Sequence, residues 1–310
     1  MGQTESSSEA HERQQKVLFE KLDSLTDLIA SGDNGDNGEN LFNRADVKIR
    51  LGLNEDAIDD LDKMICTYKI IDGEAYYSRA YARFKLSHFG EALSDLDQAL
   101  LCKYEEEYAL LRAQCKINLG RFEDALHDYN TIASFGEEGL DYDIFIRRGQ
   151  IHVRLGDLKS ALSDALKAFY KKDNPTTSHF LGLVQLERGE YRSAIVKFDH
   201  ALALNPNHAD SLDSRGLCKY KQGRYTAALQ DFGDALKIVR PSNHIFNIAR
   251  SLIHGAFAMR EIGHVDRSNH SLQQAMILLK EAAPNHTEWN LLRCQCLYGL
   301  EQLDQALKEA

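Results

Sequence analysis

The sequence predicts an all-α chain: about eight helix–turn–helix repeats preceded by one extra helix. Three observations carry this. Proline breaks helix interiors, and it occurs only 4 times in 310 residues, roughly a quarter of its usual share of about 5%. A short pattern of small residues returns at intervals of 35, 33, 36, 33, 34, 40 and 38 positions. Most returns also carry a glycine at one fixed place, where a tight turn between two helices is needed.

The pattern is plainest in Gly-Arg-Phe-Glu-Asp-Ala (120 to 125), Gly-Asp-Leu-Lys-Ser-Ala (156 to 161), Gly-Glu-Tyr-Arg-Ser-Ala (189 to 194) and Gly-Arg-Tyr-Thr-Ala-Ala (223 to 228). Its last residue gives a series of anchors: Ala57, Ala92, Ala125, Ala161, Ala194, Ala228, Ser268 and Ala306. Twelve positions earlier stand Ala45, Ala80, Ala113, Gly149, Gly182, Gly216, Ala256 and Cys294. Small residues at both places let two antiparallel helices approach closely. Gly52, Gly120, Gly156, Gly189, Gly223 and Gly263 supply the turn between them. Pro175, Pro206, Pro241 and Pro284 fall between successive later units, where a helix must stop.

These residues resemble the tetratricopeptide repeat. The best matches are 175 to 208, ending Ala-Leu-Ala-Leu-Asn-Pro-Asn-His, and 209 to 243, with Tyr225, Ala228, Phe232 and Ala235. The resemblance implies a right-handed superhelical solenoid over 41–310, with units near 41–72, 73–105, 106–140, 141–174, 175–208, 209–243, 249–285 and 287–310. The eighth unit stops within its second helix, which reads as a bare last helix or a shortened chain.

Charges follow the same period. Arg44, Arg79, Arg112, Arg148, Arg215 and Arg293 stand thirteen positions before their anchors, and Asp60, Asp95, Asp128, Asp164, Asp231 and Glu309 three after. The units with Leu181 and Gly255 instead of arginine carry Lys197 and Ser271 instead of the acid. Base and acid are present or absent together, so they are expected to form structural ion pairs rather than a bare arginine ladder. A second basic set, Lys48, Arg83, Lys116, His152 and Lys219, has no equally regular partner in the sequence. It is expected to snorkel along apolar surface or to add a basic strip.

In the resembled family the first helix of each unit lines a groove that takes a peptide or a partner helix. The resemblance therefore makes Tyr77, Tyr81, Phe84, Ile146, Arg147, Val153, Arg154, His179, Phe180, Leu183 and Tyr220 the partner-binding candidates; aromatics beside arginine are common hot-spot chemistry. One family variant clamps the C-terminal carboxylates of Hsp70 and Hsp90 with Lys and Asn four apart. The corresponding pairs here are Phe42 and Asp46, Tyr77 and Tyr81, Leu110 and Gln114, and Ile146 and Gln150. The clamp is absent.

The first forty residues differ. Residues 1–11 read as a disordered polar tail, and Met1-Gly2-x-x-x-Ser6 fits the N-myristoylation pattern, which places acylation on Gly2. With no second lipid signal, such a chain gives only weak, reversible peripheral contact. Residues 12–30 form an amphipathic helix with Leu18, Leu22, Leu25 and Ile29 on one stripe, expected to cover the apolar end of the first unit. Residues 31–40 read as a flexible linker.

Forty-seven acidic against 37 basic side chains, a net charge of -10, speak against a general nucleic-acid binder. No stretch approaches 18 apolar residues, so nothing spans a membrane, and no secretory signal opens the chain. Cys66, Cys102, Cys115, Cys218, Cys294 and Cys296 are read as reduced, buried cytosolic thiols. No nucleophile elbow, phosphate loop, metal signature or cofactor motif appears. The expected function is a cytoplasmic, non-enzymatic scaffold or adaptor that binds other proteins, with a weak membrane tether at Gly2. The alternatives are a co-chaperone that holds unfolded polypeptide and a regulatory subunit of a larger complex.

Overall fold

A computed structural model describes residues 7–31, 37–69, 71–239, 244–281 and 287–300. Among them are sixteen α-helices and one π-helical turn, with no strand. The chain forms two compact units, Met1–Leu140 and Asp141–Ala310.

The first unit holds α1 (Ser7–Ser31), α2 (Asn37–Arg50), α3 (Asn54–Asp62), the π turn Lys63–Thr67, α4 (Gly73–Lys85), α5 (Phe89–Cys102), α6 (Glu106–Asn118) and α7 (Phe122–Ser134). The antiparallel pairs are α2/α3, α4/α5 and α6/α7, and the first helices α2, α4 and α6 also touch in succession. Helix α1 packs on α2. It buries Leu25 and lays Ile29 on a core of Leu41, Ala45, Ala57, Leu61 and Met64. It begins earlier than 12, because the Glu and Ala of that polar segment are strong helix formers. Helix α2 likewise begins inside the expected linker, with Glu39 in its first turn favoured by the helix dipole.

The second unit holds α8 (Tyr142–Arg154), α9 (Leu158–Lys171), α10 (Pro175–Glu187), α11 (Tyr191–Leu204), α12 (Ala209–Lys221), α13 (Tyr225–Val239), α14 (Ile245–Glu261), α15 (Val265–Glu281) and α16 (Thr287–Gly299). Helices α8, α10, α12, α14 and α16 touch one another in turn, each of the first four backed by the helix that follows it. Pro175 is the first residue of α10 rather than a turn residue. Its absent N–H costs nothing there, and Asn174 and Thr177 cap the helix reciprocally at 2.8 and 3.2 Å. Pro206 follows α11 as expected. Gly2, Pro241, Pro284, Ala306 and Glu309 lie outside the described residues.

The turn glycines do what their spacing predicts: Gly52, Gly120, Gly156, Gly189, Gly223 and Gly263 all have φ between 73 and 83°. Ser87 holds the equivalent place between α4 and α5, at φ 64°. A side chain in this region carries steric strain. The anchors Ala57, Ala92, Ala125, Ala161, Ala194, Ala228 and Ser268 are all fully buried. Ser268 Oγ has no hydrogen-bond partner there.

Helix spacing is kept by matching sizes across each pair. A Cβ on Gly182 would lie 2.6 Å from the Phe198 ring, and one on Gly216 2.6 Å from the Phe232 ring. Where the first helix carries Ala45 or Ala80, the same core holds Leu61 or Leu96 instead of phenylalanine. Burial also departs from expectation at the cysteines: Cys115, Cys218 and Cys296 are buried, Cys66 and Cys102 exposed, and Cys294 between. Cys66 lies in the π turn and Cys102 ends α5.

Two stability outcomes follow. Gly216→Ala should gain about 1 kcal/mol of helix propensity and lose more to the Phe232 ring, for a net cost of about 1–2 kcal/mol in urea unfolding. In a Phe232→Leu background, which copies Ala80 and Leu96, the same change should become neutral or stabilising. Ser87→Gly should stabilise the first unit by about 1 kcal/mol by removing the strained side chain.

Candidate functional site

The first helices carry most of the polar chemistry, and their arginines are fully engaged. Arg44, Arg79, Arg112, Arg148 and Arg215 each donate Nε and Nη2 to both oxygens of the aspartate sixteen residues on: Asp60, Asp95, Asp128, Asp164 and Asp231, at 2.5 to 3.2 Å. The second basic set does not form a separate strip. Lys48, Arg83, Lys116 and Lys219 reach the same carboxylates at 2.6 to 2.7 Å, and His152 lies 4.0 Å from Asp164. Each acid is therefore bracketed by two bases one helical turn apart.

Arginine also links successive repeats. Arg79 reaches back to Asp62, Arg112 to Asp97 and Arg215 to Asp199, at 2.5, 2.9 and 2.6 Å. Burial pushes the Asp60 carboxyl upward, but Arg44 and Lys48 outweigh that and hold it below the usual range. In the fifth repeat, Leu181 is wholly buried and Lys197 sits 4.2 Å over the Phe169 ring.

The partner-binding candidates divide between face and core. Tyr77, Tyr81, Phe84, Val153, Leu183 and Tyr220 are half-buried on the first-helix layer. Tyr77 stacks on Tyr108 at 4.7 Å, and Tyr220 donates to Glu261 at 3.5 Å. Arg154 is exposed, and Arg147 donates to Asp143 at 2.6 Å. Phe180 and Ile146 are not on the face. Phe180 is 4% exposed, with its ring where a Cβ on Gly149 would stand, 2.8 Å away. Ala165 takes the place that holds Phe198 and Phe232 in the next two repeats, so Phe180 from the following first helix fills the space. That substitution is readable in the sequence only once the size pairing is known.

A polar cluster on α10, α12 and α14 escaped sequence reasoning. Asp213 is 2% exposed. It accepts from Ser251 Oγ at 3.0 Å, pairs with His254 Nδ1 at 3.0 Å, and lies 3.0 Å from Arg250 Nε. Arg250 also donates to Asp210 at 2.5 Å. His179 is hydrogen-bonded through Nε2 to Ser214 Oγ at 3.2 Å and packs against the rings of Phe198 and His208. The seventh repeat has Gly255 in place of the interhelical-pair arginine, and its cations Arg250 and His254, one turn apart on α14, bind the acid of the preceding first helix. Burial of Asp213 raises its pKa, but His254 and Arg250 more than offset this and lower it.

Burial pulls His179 down to about 4, with His208 and Arg250 adding to the effect and Asp210 opposing it. The folded state thus resists protonation that the unfolded chain accepts near pH 6.5. Stability is present above pH 6.5 and is lost as pH falls from there toward 4, at up to about 1.4 kcal/mol per pH unit for one proton. Thermal unfolding from pH 7.5 to 4.5 should show this slope, and His179→Gln should flatten it.

Among the described residues, no group of three or more His, Cys, Asp or Glu side chains is arranged to hold a metal ion, and no helix is long and apolar enough to cross a membrane. Residues 110–175 and 181–243 match the tetratricopeptide repeat family model. Tetratricopeptide repeat protein 37 of Xenopus laevis is 23% identical over 252 residues, 73% of this chain, which spans only 16% of that relative's length. A tetratricopeptide repeat protein of Parabacteroides merdae superposes with a TM-score of 0.71 at 16% identity, over 84% of this chain and 99% of the other. A chain of the Cut9–Hcn1 hetero-tetramer of the APC/C covers 97% of this chain with 56% of its own length, at a TM-score of 0.59 and 16% identity. With the repeated anchors, turns and paired helices described above, residues 110–175 and 181–243 are tetratricopeptide repeats, and the solved structures share the helical-repeat fold.

Proposed function

We propose that the protein is a non-enzymatic scaffold in which the first-helix layer of each unit binds an extended peptide or a helix of another protein. The observation that carries the reading is the division of labour on that layer. The regular bases are consumed by buried aspartates, while Tyr77, Tyr81, Phe84, Leu183 and Tyr220 remain half-exposed. Half-buried aromatics on rigid helices contribute contact area at little entropic cost, which is the chemistry of interface hot spots. Repeats of this family typically serve protein–protein interaction, and one structural neighbour is itself a chain of a hetero-tetramer.

A photo-reactive residue placed at Tyr81 or Leu183 in cells should give discrete adducts with partner proteins. The same residue at Val196 or Tyr170, which are 63% and 81% exposed on second helices, should give few. Adducts confined to the second-helix positions would overturn the reading. Myristoylation of Gly2 is a separate part of the proposal and rests on Met1-Gly2-x-x-x-Ser6. The intact mass of protein from eukaryotic cells should carry the acyl increment, and Gly2→Ala should remove both that increment and any membrane partition. Unacylated native protein would end the tether idea.

A further inference from the structure

We infer that the α4–α6 face of the first unit selects a partner segment in which Lys or Arg stands beside apolar residues. The inference rests on the first-helix layer being the binding face and names the chemistry it takes there. Glu74 lies in the first turn of α4 and Glu107 in the first turn of α6. Tyr77 and Tyr81 follow Glu74 at one-turn intervals along α4, a spacing that puts all three on one stripe. Tyr77 stacks on Tyr108 of α6 at 4.7 Å with 24° between the rings, and lies 6.5 Å from Tyr81. Both glutamates are exposed, and neither has an ion-pair partner among the described residues.

Glu74 stands one turn before Tyr77 on α4, and Glu107 directly precedes Tyr108 on α6, so each helix brings a carboxylate to its ring. Tyr77 is pushed up by burial and then by Glu107 of the neighbouring helix, and Tyr108 is pushed up to about 12 by burial and then by Glu74, Glu105 and Asp72. Among the described residues neither glutamate forms an ion pair with the nearby bases, although the pKa of Lys103 is raised by Glu105 and also by Glu74. Arg79 is consumed by Asp95 and Asp62, and Lys103 pairs with Glu105. The ring surface accepts an ammonium: Lys85 Nζ sits 4.9 Å over the Tyr81 centroid at the other end of the stripe. A cationic side chain docked against Tyr77 would meet an aromatic face and two carboxylates, whereas an acidic tail would meet repulsion. Apolar residues flanking that cation would lie on the tyrosine stripe.

The test uses the whole chain and two fluorescent 12-residue peptides, one alternating Leu and Arg, the other alternating Leu and Glu. Fluorescence anisotropy at about 0.1 M salt should show the Arg peptide binding at least tenfold more tightly. Two exposed charge pairs together are worth roughly tenfold in Kd. Glu74→Gln with Glu107→Gln should therefore weaken the Arg peptide by about that factor. Glu55→Gln with Glu123→Gln removes the same net charge from exposed sites elsewhere and should leave binding unchanged. Equal affinity for the two peptides, no binding of either, or equal loss in the control variant would overturn the inference. In each of those cases the adduct map from Tyr81 and Leu183 reports independently whether the face binds partners at all.

Discussion

Everything else in this structure depends on how closely two helices of a repeat can approach. The anchors admit no more than a serine, and they are shut off from solvent in all seven described repeats. Across the pair, Gly182 and Gly216 are matched with phenylalanine, and Ala45 and Ala80 with leucine. Volume is thus conserved across the contact rather than at either position, which is the substitution pattern that packed cores tolerate best. With the backbones held at this spacing, a guanidinium on the first helix spans to a carboxylate on the second. The interval of sixteen residues between base and acid is the same in five repeats because the geometry is the same.

The bracketed aspartates do a different job from the apolar core. A buried ion pair gains little net stability over apolar packing, since desolvation offsets most of its attraction. Its directionality is another matter. Two bases one turn apart can share one carboxylate only in a single register of the two helices, and the backward reach of Arg79, Arg112 and Arg215 fixes the next repeat in the same way. The functional consequence lies on the first-helix layer. Bases that would otherwise give it a positive stripe are turned inward, so its outward chemistry is set by aromatics and by acids that have no such partner.

The repeat period, the helix pairs, the turn glycines and the Arg–Asp pairing were legible in the sequence because each is local or strictly periodic. What was not legible came from shared partners within a repeat and from contacts between repeats. Lys48, Arg83, Lys116 and Lys219 have no acid of their own at a fixed interval; they share the one already assigned to arginine, and pairing by one-to-one counting could not reveal it. Phe180 has the position of a face residue but is drawn into the space left by Ala165. The Asp213 cluster appears where the periodic arginine is missing, and its bases come from the following first helix. Departures from the repeat, rather than the repeat itself, marked where the chemistry is specific.

Those departures also make the two units unlike in what they can select. On α4 and α6, the proposed stripe combines stacked tyrosines with exposed carboxylates, so its discrimination would be electrostatic, against acidic segments and for basic ones. On α10, α12 and α14, the equivalent layer holds an aspartate already satisfied by serine, histidine and arginine, and a histidine kept neutral by burial. A partner there gains nothing from a bare charge, because inserting one would leave a buried group without its present partner. On the proposed reading, shape and apolar contact at Leu183 and Tyr220 would decide instead. If both layers bind partners as proposed, a fold built from one repeated helix pair offers two recognition chemistries, and the difference is written in the few positions where the repeat is broken.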